Sequence, residues 1–171
     1  MTPMKTRGFT LLEALVAMTV ASILIGLAVP ALSNILARQR LSLATLDISR
    51  ALTQARHESI MRSRPVLVDN LDGQWSSGWH IFVDDNWNGL RDSGEPIIRV
   101  GEIPSGVRVV GNTPVRRYVR YTPSGRATML SGAFQAGTLT LCHENGNLSV
   151  KRIIIAATGR VRTETGTALT C

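Results

Sequence analysis

The run from Asp84 to Glu95 alternates Asp84, Asn86 and Asn88, places Gly89 sixth and Glu95 twelfth, and so fits the calcium loop of helix-loop-helix hands. Oxygens of Asp84, Asn86, Asn88, Asp92 and Glu95, with the Leu90 carbonyl, are the hard donors that Ca2+ takes. A plainer reading stands beside this one. The flanks Trp79 to Val83 and Ile97 to Val100 are strand-like where a calcium hand has helices, and Asp, Asn and Gly also serve the turns of any hairpin loop.

Enzyme chemistry is not signalled. The sequence holds no phosphate loop, no nucleophile elbow and no zinc pair among His57, His80 and His143. Cys142 and His143 are neighbours on a strand-like segment, so they point to opposite faces and cannot readily work as nucleophile and base. Charge is more telling. Residues 1–95 carry 9 Lys plus Arg against 9 Asp plus Glu, residues 96–171 carry 10 against 3, and the whole net charge of +7 resides in the second part. Arg116, Arg117, Arg120, Arg126, Lys151, Arg152, Arg160 and Arg162 form its clusters, a field suited to a polyanion or to acidic neighbours. In Thr158-Gly159-Arg160-Val161-Arg162 the two arginines alternate along an extended segment and project to one face, behind a glycine that permits a sharp turn or a close approach.

The elements that position these residues follow from periodicity. From Phe9 to Leu32 only Thr10, Glu13, Thr19 and Ser22 have polar side chains, and a membrane core needs about 20 apolar residues, so 9–32 is expected to span. Beyond Pro30, Leu41, Ala44, Ile48, Ala51, Leu52 and Ala55 recur at helical spacing. The two segments predict one helix over 9–63, bent near Pro30 and stopped before Pro65. From residue 64 to 171 the texture is β-rich, with strands predicted at Val66 to Val68, Trp79 to Val83, Ile97 to Val100, Val107 to Val110, Tyr118 to Tyr121, Thr138 to Cys142 and Val150 to Ala156. The fold class is α+β: a long N-terminal helix, transmembrane then amphipathic, packed on a C-terminal antiparallel sheet domain.

The N-terminal signature Arg7-Gly8-Phe9-Thr10-Leu11-Leu12-Glu13, running into an apolar stretch, resembles the processing site of type IV prepilins. The resemblance implies a leader over 1–8, cleavage between Gly8 and Phe9 by a prepilin peptidase, and methylation of Phe9. It also implies pairing of Glu13 with the N-terminal ammonium of a neighbouring subunit, a reason to retain a carboxylate in a membrane segment. The protein is then an inner-membrane, single-pass subunit with a periplasmic domain, joining other major and minor pilins in a filament. Two cysteines, Cys142 and Cys171, suit an oxidising periplasm and are expected to be bridged, closing a loop of about 30 residues worth ~3.6 kcal/mol in the chain-entropy account.

Within the pilins, the Trp79 to Glu95 segment, the Cys142 region and Ile153 to Arg162 resemble the FimT/GspH-type minor pilins, in which a similar Asp/Asn/Gly loop is common. The Gly159-Arg160-Val161-Arg162 string resembles the Gly-Arg-x-Arg motif of FimT-type minor pilins that bind DNA in natural transformation. That resemblance implies non-specific DNA binding by Arg160 and Arg162, supported by Lys151 and Arg152. Two alternatives belong to the same family: a FimU-like subunit that primes pilus assembly, and an H-type minor pseudopilin of a type II secretion system.

Overall fold

The computed structural model describes residues 10–144 and 149–166, with the side chains of 27–31 excepted. The chain divides into two units, 1–36 and 37–171. One helix, α1, is continuous over Leu11–Arg62, and Glu13 lies in its first turn. In the first unit the side chains of Leu11, Leu12, Leu15 and Met18 are exposed. The polar residues among them return to the helix: Thr19 Oγ1 donates to the Leu15 carbonyl at 2.8 Å and Ser22 Oγ to that of Met18 at 2.8 Å. Among the described residues no helix is long and apolar enough to cross a membrane.

The second unit is built on the amphipathic half of α1. Leu41, Ala44, Ile48, Ala51, Leu52 and Ala55 are buried, so the stripe legible at helical spacing is the helix's core face. Two antiparallel sheets complete that core. The first runs β3 (Ile97–Gly101), β2 (Trp79–Val83), β1 (Val66–Asn70), β5 (Tyr118–Tyr121) in spatial order. The second runs β4 (Val107–Gly111), β6 (Gly137–His143), β7 (Val150–Ile155), β8 (Val161–Gly166). Alternate residues Val66, Val68, Ile81, Val83, Val119 and Tyr121 of the first sheet, and Val107, Val109, Leu139, Leu141, Ile153 and Ile155 of the second, join the helix residues in one cluster. Trp75 is sealed among them, its indole N–H donating to the Val115 carbonyl at 2.9 Å. All seven expected strands are present. The eighth, β8, was not foreseen as a strand, because Arg162, Thr163, Glu164 and Thr165 are polar and exposed on both faces of a sheet edge.

Candidate nucleic-acid interface

The basic residues of the C-terminal part are set by the β7–β8 hairpin. Its register places Arg152 opposite Glu164, Ile154 opposite Arg162 and Lys151 opposite Thr165. Because Ile153 and Ile155 face the core, Arg152 and Ile154 face outward, and so do their partners Glu164 and Arg162. Lys151 is on the other side. Its Nζ donates to Thr165 Oγ1 at 2.7 Å, and it lines a cleft of about 450 Å³ with Thr45, Ser49 and Thr163. The four basic residues grouped by sequence thus divide: Arg152 and Arg162 lie on the outward face of the hairpin, Arg160 is exposed at its turn, and Lys151 is turned away, since strand neighbours alternate in direction. Arg162 is 59% exposed and its Nη1 is 3.3 Å from Glu164 Oε1, an exposed pair of the kind worth about 0–1 kcal/mol.

Arg160 leaves a turn closed by Gly159 N–H donating to the Ala156 carbonyl at 2.8 Å and Ala156 N–H to the Arg160 carbonyl at 2.9 Å. Gly159 has φ of +81°, and a Cβ on it would lie 2.0 Å from the Gly125 carbonyl oxygen. That oxygen is already held by the Arg56 Nε at 2.9 Å. The glycine of the motif is therefore a packing residue, and it leaves Arg160 exposed at the end of a fixed turn. Sequence reasoning missed Arg56 and Gly125 because their link to Gly159 spans the chain; the Pro123-Ser124-Gly125 turn signal was the only local trace.

The Asp84 to Glu95 loop connects β2 to β3 and is closed by its own groups. Asp84, fully buried, accepts the Gly89 N–H on Oδ2 at 3.0 Å, and Arg120 Nε lies 3.8 Å from the same atom. Burial pushes the Asp84 carboxyl above the usual range, against the lowering pull of the Gly89 N–H and the Arg120 guanidinium. Glu95 accepts the Asp85 N–H at 2.8 Å on Oε1 and the Asp92 N–H at 3.0 Å on Oε2. Asn86 and Asn88 accept the N–H groups of Asn88 and Leu90, while their amide nitrogens both donate to Asp92 Oδ2, at 2.6 and 2.8 Å. Two amide N–H2 groups thus converge on the carboxylate that a cation would need. Among the described residues no three His, Cys, Asp or Glu side chains come together in a way that could hold a metal ion. As arranged, the loop is a self-bonded hairpin. Trp87 rests on it at φ +67°, with the Arg120 guanidinium 5.3 Å from its ring centroid.

Gly8, Phe9 and Cys171 lie outside the described residues. Cys142 is buried on β6, with 5% of its surface exposed.

Residues 44–159 match the family described as Type II transport protein GspH, and residues 3–29 match the prokaryotic N-terminal methylation motif. The chain belongs to the GspH family. The pilin-like protein PilA1 of Thermus thermophilus is 37% identical over 92 residues, covering 54% of this chain and 57% of that protein, so the chain spans little more than half the length of this curated relative. The minor pilin FimU of Pseudomonas aeruginosa superposes with a TM-score of 0.59 at 19% identity, over 78% of this chain and 97% of that one. The minor pseudopilin EpsH of Vibrio cholerae superposes with a TM-score of 0.51 at 12% identity, over 74% and 97%. At these identities the two structures speak for a shared fold: a long N-terminal helix on antiparallel sheets. The GspH-family assignment and the methylation motif together make this a minor pilin or pseudopilin, with the N-terminal segment that anchors such subunits in the membrane.

Proposed function

We propose that this GspH-family protein is a minor pilin of a type IV pilus that binds extracellular DNA without sequence preference, through the outer end of the β7–β8 hairpin. One observation carries the reading. Arg160 is exposed on a turn whose glycine is fixed by packing and Arg162 at the start of β8, with Arg152 on the adjacent strand and Glu164 paired to Arg162. Exposed guanidinium groups suit phosphate, which Arg binds through a planar fork, and the exposed Arg162–Glu164 pair is weak enough to yield to it. The excess of positive charge over residues 96–171 adds a longer-range attraction.

Assembly rests on the other end of the chain. Cleavage after Gly8 by the prepilin peptidase leaves Phe9 as the methylated N-terminus, and Glu13 pairs with the corresponding ammonium of a neighbouring pilin. Cys142 is bridged to Cys171, tying the C-terminus to β6.

The unit from Ala37 onward contains the complete hydrophobic cluster and is the material for the test. Its affinity for duplex DNA, measured by fluorescence anisotropy at several salt concentrations, falls steeply with salt, and each phosphate contact removed lowers the log-log slope by about 0.9. Arg160→Gln with Arg162→Gln weakens binding and flattens that slope while the melting temperature holds. Wild-type affinity in the double variant, or affinity indifferent to salt, would refute the DNA reading in favour of a subunit that primes assembly or serves type II secretion.

A further inference from the structure

From Ile103 to His143 the chain has no Asp or Glu, while it carries Arg108, Arg116, Arg117, Arg120 and Arg126. At the exposed end of that stretch stands an unusual side chain. Phe134 is 65% exposed, and the Arg126 guanidinium lies 4.8 Å from its ring centroid. A small hairpin sets the two. Phe134 bridges Thr128 in antiparallel register, and the Met129 N–H donates to the Ala133 carbonyl at 2.8 Å. Arg126 precedes Thr128 by two residues and so shares its face with Phe134.

This hairpin adjoins the turn that presents Arg160. Arg126 directly follows Gly125, Arg160 directly follows Gly159, and the two glycines touch. The Ala127 N–H also donates to the Ala157 carbonyl at 3.1 Å. An aromatic ring held on one guanidinium is therefore carried by a segment bonded directly to the turn that presents Arg160. A basic surface with an exposed ring is how proteins hold unpaired nucleotides, because every base has a π-face that stacks on an aromatic side chain. Duplex DNA offers no such face except at its ends. A protein partner is less well matched, since the ring stands on the Arg126 guanidinium in a segment bonded to the turn that presents Arg160.

We propose that Phe134, held on Arg126, is a stacking site for an unpaired base of single-stranded DNA whose phosphates lie along Arg160 and Arg162. The proposal rests on the DNA reading and adds that the preferred form is a single strand or a frayed end.

The test compares a labelled oligothymidine with a blunt duplex of equal phosphate number, using the unit from Ala37 onward and its variants in anisotropy titrations. The single strand binds more tightly to the wild type. Phe134→Ala weakens single-strand binding by about five- to a hundredfold, as loss of one stacked base does, and leaves the duplex affinity within about twofold. Phe134→Trp restores the preference. Arg160→Gln with Arg162→Gln weakens both ligands alike. If Phe134→Ala leaves single-strand affinity intact, or lowers both ligands equally, the stacking site is wrong while the DNA reading survives. If Phe134→Ala instead impairs pilus assembly with DNA binding unchanged, Phe134 is a subunit contact and the stacking proposal fails. If the wild type binds neither ligand, both are wrong. A melting curve for each variant keeps the comparison among folded proteins, since Phe134 is too exposed for its loss to unfold the unit.

Discussion

Gly159→Ala separates the structural from the functional part of the Gly-Arg-x-Arg string. An alanine held at φ of +81° is in left-handed territory, which costs about 1–2 kcal/mol relative to glycine. Its Cβ would stand 2.0 Å from the Gly125 carbonyl oxygen, so the Gly125 turn must retreat. Retreat breaks the bond that Arg56 Nε makes to that oxygen at 2.9 Å, and a hydrogen bond from a charged donor is worth about 1.5–3 kcal/mol. The sum is about 2.5–5 kcal/mol, which for a unit of this size lowers the melting temperature by roughly 8–20 °C. Circular dichroism of the unit from Ala37 onward measures it directly. Arg160→Gln with Arg162→Gln is the control, because exposed substitutions shift stability by no more than about 0.5 kcal/mol. A Gly159→Ala protein that melts within about 2 °C of wild type would show that the turn relaxes freely and that the glycine is not a packing residue.

Two further outcomes concern the ends of the chain. Glu13→Ala is processed at Gly8 yet enters filaments poorly, because the neighbouring ammonium loses its counter-charge; wild-type amounts of the variant in sheared pili would contradict the pairing. Alkylation of the unfolded, unreduced protein adds no label at Cys142 or Cys171, and prior reduction exposes both to label while lowering the melting temperature, as loss of a cross-link worth about 3–4 kcal/mol requires; label without reduction would disprove the bridge.

Periodicity made most of the fold legible. The stripe Leu41, Ala44, Ile48, Leu52 could face only a core, and the runs that became β1 to β7 were β-branched or aromatic between turn residues. β8 escaped because an edge strand with Arg162, Glu164 and flanking threonines has no apolar alternation to show. The site was legible in residue type and less so in direction. Lys151 and Arg152 look like one basic pair in the sequence, yet strand geometry sends one to Thr165 and the other outward beside Arg162. The loop at Asp84 illustrates a different limit. Its spacing specifies which oxygens are present, but which of them are consumed by N–H donors depends on the closed conformation, and there Asn86 and Asn88 turn amide nitrogens toward Asp92. The partnership of Arg126 with Phe134 needed the register of a hairpin that no strong strand signal announced.

The Asp84–Arg120 pair bears on the order in which the domain can assemble. Both side chains are almost wholly removed from water, and a charge left there without its opposite costs about 3–5 kcal/mol. Closure of the β2–β3 loop over an ionised Asp84 is therefore favoured once β5 has docked on β1 and delivered Arg120. Pairing of strands so distant in sequence is slow to form, since loop-closure entropy is lost before contacts compensate it. Sealing of the loop is thus a completion step for the first sheet, and the Trp87 ring over Arg120 is its built-in optical reporter.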